Sequence, residues 1–151
     1  MITQATATDI AILAEMASHI WHNSTTDALQ AAFAEIIGTD DAVCYIQYCG
    51  EVPVGFAQCS LRRDYVEGTS SSPVGYLEGI YVQKEYRNRG YAGALLAACE
   101  TWAQNKGCTE FASDCELDNT DSYRFHQAMG FTEVNRVICF TKPIDKTKER
   151  R

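Results

Sequence analysis

The chain has 151 residues, 46% of them hydrophobic and 22% charged, with 13 Lys and Arg against 20 Asp and Glu and a formal charge of −7. This size suits one compact domain that buries roughly two-thirds of its unfolded surface. The negative sign disfavours a nucleic-acid footprint and is compatible with a cationic ligand, and no apolar run approaches the roughly 20 residues of a membrane span. The opening MITQATATDIAILAEM lacks the basic start of a secretory leader. Seven cysteines, an odd number with no C-x-x-C pair, point to reduced thiols in a cytoplasm and away from a disulfide framework or a metal site.

Residues 9–21 place Ile10, Leu13, Ala17, Ile20 and Trp21 at helical spacing, with Thr8 as N-cap. A second helix follows HNSTT, carries Leu29, Phe33, Ile36 and Ile37 on one side, and stops at Gly38. AVCYIQY and VPVGFAQCSLR then read as an antiparallel hairpin joined through CGE. The Ser- and Gly-rich DYVEGTSSSPVG is a loop, and YLEGIYVQ resumes a strand. EYRNRGYAGALLAACETW, residues 85–102, runs into a helix whose buried stripe is Leu95, Leu96, Cys99, Trp102 and Ala103, with Lys106 and Gly107 as end signals. CTEFAS is a short strand, NTDSYRFHQAMG a helix and EVNRVICFTK a closing strand. The order predicts an α/β fold over residues 1–145, a mixed sheet with helices on its faces, followed by a charged tail at 146–151.

An acidic chain that crowds arginines and glycines onto one helix start needs a reason. The first N–H groups of a helix lack internal partners, and the helix dipole is positive there. Gly90 allows close backbone approach, and Ala92 and Gly93 keep side chains out of the way. Backbone donors of Asn88, Arg89, Gly90, Tyr91, Ala92 and Gly93, beside Arg87, could therefore cradle a phosphate or pyrophosphate; taken alone, R-x-x-G-x-A reads more simply as a strand-to-helix turn with solvated arginines. The spacing matches neither the G-K-[ST] P-loop nor the G-x-G-x-x-G fingerprint, which argues against ATP and NAD.

With YLEGIYV before it and N…HQAMGF after it, R-x-x-G-x-A resembles the GCN5-related N-acetyltransferase fold, with its splayed central strands, over roughly residues 5–142. The resemblance implies acetyl-CoA as co-substrate and no metal. It places the pyrophosphate on the Arg87–Gly93 turn and the pantetheine arm along Ile80, Tyr81 and Val82, with Asn119 as a further cofactor contact that also reads as an N-cap. Gly79 stands where a bulge would splay this strand from CTEFAS. DYVEG, SSPV, LEGIYV, NKGC, HQA and RVI together look like the aminoglycoside 6′-N-acetyltransferases of one bacterial subgroup. That narrower resemblance implies transfer of an acetyl group to an aminoglycoside 6′-amine, conferring resistance.

Aminoglycosides carry several ammonium groups, so their pocket needs carboxylates. Glu78 lies in an otherwise apolar strand, where a carboxylate is costly to bury unless a cation pairs with it. Asp114 ends the strand expected across the cleft. By resemblance Trp21, Tyr65, Glu78, Asp114 and Asn135 occupy antibiotic-contacting positions, although Asn135 stands where some relatives carry an acid. Direct attack in a ternary complex would have Glu78 and Asp114 position the amine and accept its proton. His126, four residues before Gly130, occupies the place of the family's tyrosine acid and is a candidate proton donor, or a packed helix histidine. Two other readings stay open on the residues alone: an acetyltransferase for another small amine or a protein amine, and a non-catalytic acyl-CoA-binding module. The family resemblance also implies a homodimer, with apolar C-terminal strand residues available for pairing.

Overall fold

The structure is a computed structural model that describes residues 1–145; the charged tail expected at 146–151 lies outside the described residues. Its centre is a five-stranded sheet in sequential order: β1 (Ile2–Gln4), β2 (Ala42–Cys49), β3 (Val52–Arg62), β4 (Val74–Val82) and β5 (Phe111–Ser113). Neighbours are antiparallel except β4 and β5, which run parallel. That parallel pair is joined by α3 (Tyr91–Asn105), a crossover of the expected kind.

Helices α1 (Ile10–Ala17) and α2 (Thr26–Ile37) cover one face, where Leu13, Met16, Phe33, Ile46 and Phe56 make a common core. The other face packs Val43, Ala57, Cys59 and Leu77 under Leu95, Leu96 and Cys99 of α3, with Phe125 of α4 (Thr120–Ala128) at its margin. Period-two alternation along β2 and β3 sends successive side chains to these two cores. The Thr25 hydroxyl caps α2 by accepting the Ala28 N–H at 3.1 Å, and Gly107, at φ 92°, closes α3 in the left-handed region that favours glycine.

Four expectations are corrected. The start before α1 is capped not by Thr8 but by Thr6, whose N–H donates to Asp9 Oδ2 at 2.8 Å in a short helical turn over Ala7–Asp9. That helix ends at Ala17, so Trp21 follows it, its N–H still reaching Ala17 O at 2.9 Å. An N-terminal strand, β1, was not expected; its three residues are too few to show a period. The predicted closing strand in EVNRVICFTK pairs with no strand among the described residues, and Val134, Val137, Ile138, Phe140 and Ile144 lie exposed, Phe140 at 89%. Strand-forming residues need an edge to pair with, and β5 offers a strand of only three residues.

Candidate active site

A bulge sets where the acidic residues stand. Along β3 and β4, Gln58 opposes Gly79 and Cys59 opposes Leu77, which leaves Glu78 as the extra residue. The bulge falls one position before the expected Gly79, and it re-aims the Glu78 side chain. The β4–β5 ladder ends at the same level: Gly75, Tyr76 and Leu77 pair with Phe111, Ala112 and Ser113, and β5 stops while β4 runs on to Val82. The β5-side edge of residues 78–82 is left without a strand partner among the described residues, and Asp114 follows immediately where β5 ends.

Glu78 does have a cation, and it is internal. Arg62 donates from Nε to Oε2 at 3.0 Å and from Nη2 to Oε1 at 2.7 Å, while the Ser60 hydroxyl donates to Oε2. Three donors thus occupy most of the about four lone-pair sites of a carboxylate. Asp114 is less committed: the Tyr76 hydroxyl bonds its Oδ2, and Asp114 is otherwise exposed. Burial, followed by the bond to Asp114, pushes the Tyr76 hydroxyl's pKa up, which keeps it an O–H donor.

Trp21 is half-buried in a ring cluster with Phe33 and Phe56, at centroid distances of 6.5 and 6.2 Å. A Cβ on Gly79 would lie 2.6 Å from Trp21 Cζ2, so this glycine seats the indole beside the bulge. The loop before β4 carries Tyr65, 76% exposed, with its hydroxyl accepting the Gly68 N–H at 3.4 Å. Glu110 anchors that loop and was missed from the sequence, where it is one more acid in a short strand pattern. Its Oε1 accepts the N–H groups of Ser70 and Ser71, each at 2.9 Å, and the Ser71 hydroxyl; the Ser71 side chain foremost holds the Glu110 carboxyl below its ordinary range. Val134 packs against Gly68, which brings the C-terminal segment alongside the same loop. Asn135, next to it, spends its Oδ1 on the Arg136 N–H at 2.8 Å.

The predicted anion turn lies beyond the far end of β4. Asn88 and Gly90 have φ of 64° and 84°, left-handed values that Asn and Gly tolerate, and Gly90 is the N-cap of α3. The Ala94 N–H reaches Gly90 O at 3.0 Å, so the N–H groups of Tyr91, Ala92 and Gly93 precede the helical ladder. A Cβ on Gly90 would meet nothing within 4 Å, which leaves the approach open. Arg87 is hooked back by Nε onto Val82 O at 2.8 Å, and Arg89 lies over the Tyr86 ring. Ile80 and Val82 pack toward α3, whereas Tyr81 turns to the other face and stacks on His19 at 5.2 Å. Donor groups, open space and an unpaired strand edge together fit a pantetheine chain ending in a pyrophosphate.

His126 is a packed residue. Its Nδ1 donates to Ser122 O at 2.7 Å, its Nε2 bonds Ser113 Oγ at 2.7 Å, and the Phe131 ring lies 5.0 Å away. Both nitrogens therefore have protein partners, and the ring ties α4 to the end of β5. His126→Ala is expected to cost about 1–2 kcal/mol of stability through lost hydrogen bonds, read by denaturant melts. Turnover should fall less than about threefold, under roughly 0.7 kcal/mol of barrier. Asn119 acts as the N-cap of α4, accepting the Ser122 N–H at 3.2 Å. Cys44, Cys59, Cys99 and Cys108 are buried, and burial pushes the Cys44 thiol up to about 12, away from nucleophilic use.

An open strand edge beside two carboxylates, with a helix N-terminus beyond its end, is an arrangement that could hold an acyl carrier next to an amine. Residues 10–131 match the acetyltransferase (GNAT) family. The aminoglycoside N(6′)-acetyltransferase type 1 of Salmonella typhimurium strain LT2 is 46% identical over 123 residues, 82% of this chain and 85% of that protein. Among solved structures, the aminoglycoside N-acetyltransferase AAC(6′)-Iy in complex with CoA superposes with a TM-score of 0.91 at 41% identity, covering 95% of each chain. The same enzyme with the bisubstrate analogue CoA-S-monomethyl-acetylneamine gives 0.90 at 41% identity, covering 95% of this chain and 98% of that one. The chain belongs to the acetyltransferase (GNAT) family, in its aminoglycoside 6′-N-acetyltransferase group.

Proposed function

We propose that this protein transfers the acetyl group of acetyl-CoA to the 6′-amine of aminoglycosides by direct attack in a ternary complex, conferring resistance. The observation that carries this reading is the gap beside β4, which has Glu78 and Asp114 at one end and runs about 13 Å at strand rise from Glu78 to Val82, beyond which the chain reaches the N–H groups that open α3. When bound, acetyl-CoA supplies the electrophilic thioester and a thiolate leaving group. The Tyr91, Ala92 and Gly93 N–H groups and Arg87 hold its diphosphate, with Asn88, Arg89 and Asn119 around it. The free edge at Ile80, Tyr81 and Val82 aligns the arm, and a strand N–H polarises the thioester carbonyl.

The two carboxylates divide the work on the amine. Glu78, already holding three donors, anchors an ammonium with its remaining acceptor site. Asp114 Oδ1, not used by Tyr76, accepts the proton that the 6′-ammonium must lose before attack. Trp21 and Tyr65 offer ring faces to the sugars. Asn135 is a peripheral contact, and His126 supports the site through Ser113. A thiol-release assay with acetyl-CoA and kanamycin, tobramycin or spermidine tests the reading. Release with the two aminoglycosides and the acetyl group on the 6′-nitrogen by NMR is expected. Release with spermidine alone would point to another amine, and none at all to a binding module.

The exposed run Val134, Val137, Ile138, Phe140 and Ile144 supports a homodimer in which a second copy covers the C-terminal segment. Light scattering should return twice the monomer mass, and Phe140→Asp should return the monomer. An unchanged mass in that variant would place the interface elsewhere. Among the described residues no helix is long and apolar enough to cross a membrane. Seven free cysteines suit a reducing cytoplasm.

A further inference from the structure

The Arg62 guanidinium lies 3.4 Å from the centroid of the Tyr76 ring, close enough for a flat stack. From that stack, two contacts go outward to the two proposed amine-binding carboxylates. Arg62 grips Glu78 through two nitrogens, and the Tyr76 hydroxyl bonds Asp114. The ring is 6% exposed and sits on Val66 and Val74, with Ala112 beside it, so its hydroxyl has little freedom to point elsewhere. The Glu78 carboxylate foremost, with smaller contributions that include Asp114, holds the Arg62 guanidinium above its ordinary pKa, so it stays a cation. Neither Arg62 nor Tyr76 belongs to the residues assigned a role in the reaction above.

We propose that Arg62 and Tyr76 form a stacked positioning pair that fixes Glu78 and Asp114 at the distance and angle an incoming polyamine sugar must match. The proposal rests on the reading that these carboxylates face the aminoglycoside. A carboxylate that must bind or deprotonate an ammonium gains from being held before the substrate arrives, because the ordering cost is then met in folding. Glu78 is 22% exposed and would otherwise be a half-buried charge with one hydroxyl for company. Arg62 supplies a planar fork, which a lysine does not, and its flat face keeps Tyr76 from turning.

Double-mutant cycles test this directly. Tyr76→Phe keeps the ring and removes only the hydroxyl; it should lower kcat/KM for kanamycin about tenfold, roughly the worth of one hydrogen bond to a charged group. In the Asp114→Asn background the same change should cost less than about twofold, since the side chain that Tyr76 holds is then no longer a base. Arg62→Lys should raise KM for kanamycin about fivefold with little change in kcat, and lose that effect when combined with Glu78→Gln. KM for acetyl-CoA should stay within about twofold throughout. Additive effects in both cycles, a flat Tyr76→Phe, or a parallel rise in KM for acetyl-CoA would overturn the pair. If Tyr76→Phe does not fold, the Arg62→Lys cycle decides alone. Wild-type protein inactive with every aminoglycoside overturns the reading of the site and this pair with it, whereas an active wild type beside flat variants overturns the pair only.

Discussion

Asp114→Asn is expected to lower turnover with kanamycin by about 10²–10⁴-fold, the range general-base catalysis contributes, while acetyl-CoA affinity stays within about twofold. The variant keeps the shape of the side chain and an oxygen for the Tyr76 hydroxyl, so the network that holds the residue survives. What it loses is the basicity of Oδ1, the oxygen free of that network. Glu78→Gln should behave differently, because its carboxylate already accepts from Ser60 and twice from Arg62. There the amide leaves an NH₂ facing Arg62 and weakens the anchor for an ammonium. The expected signature is a rise of about tenfold in aminoglycoside KM, with a smaller change in kcat. Stopped-flow thiol release with fluorescence titration of CoA separates the two patterns. Equal loss of cofactor binding in both variants would put the carboxylates on the wrong side of the cleft, and unchanged turnover in Asp114→Asn would end its role as base.

The pieces of this site differ in how far they could be read from sequence. α2 and α3 were legible because each combines an apolar stripe with a local stop: Leu29 and Phe33 before Gly38, Leu95 to Ala103 before Gly107. The helix start at Gly90 was legible because the start and its glycine are neighbours in the chain. Glu78 stood out as an acid among apolar strand residues and Asp114 as the acid ending the strand expected across the cleft, but their partners were not legible. Arg62 meets Glu78 across 16 residues of chain, and the pairing depends on a register that the bulge at Glu78 resets. The Glu110 anchor on Ser70 and Ser71 is longer-range still, about 40 residues apart. His126 was read at the right helical position, yet its bonds to Ser122 and Ser113 depend on how α4 docks on β5. The closing strand failed for a related reason. Val137 and Ile138 satisfy strand propensity, but propensity does not supply the edge that a strand must join.

Gly90→Asp should leave the fold standing and remove the cofactor. Aspartate is among the favoured N-cap residues and, with asparagine, one of the few non-glycine types that tolerate a left-handed backbone such as the φ of 84° found here. Its Cβ would meet nothing within 4 Å, so no steric clash is expected. The new carboxylate, however, would cap the N–H groups ahead of the Ala94–Gly90 bond and place a negative charge where the diphosphate is proposed to sit. Two like charges about 4 Å apart repel by about 4 kcal/mol at the effective dielectric of a protein surface, less in salt. A weakening of acetyl-CoA binding by about 100-fold, near 2.7 kcal/mol, is therefore expected at moderate ionic strength. The melting temperature should stay within a few degrees, given a strain of about 1–2 kcal/mol offset by the cap. Raising the salt should recover part of the affinity, which loss of folding would not allow. Gly90→Asn, of the same size and without the charge, should sit close to wild type in salt dependence. If both variants bind acetyl-CoA as tightly as wild type, the diphosphate does not rest on the start of α3.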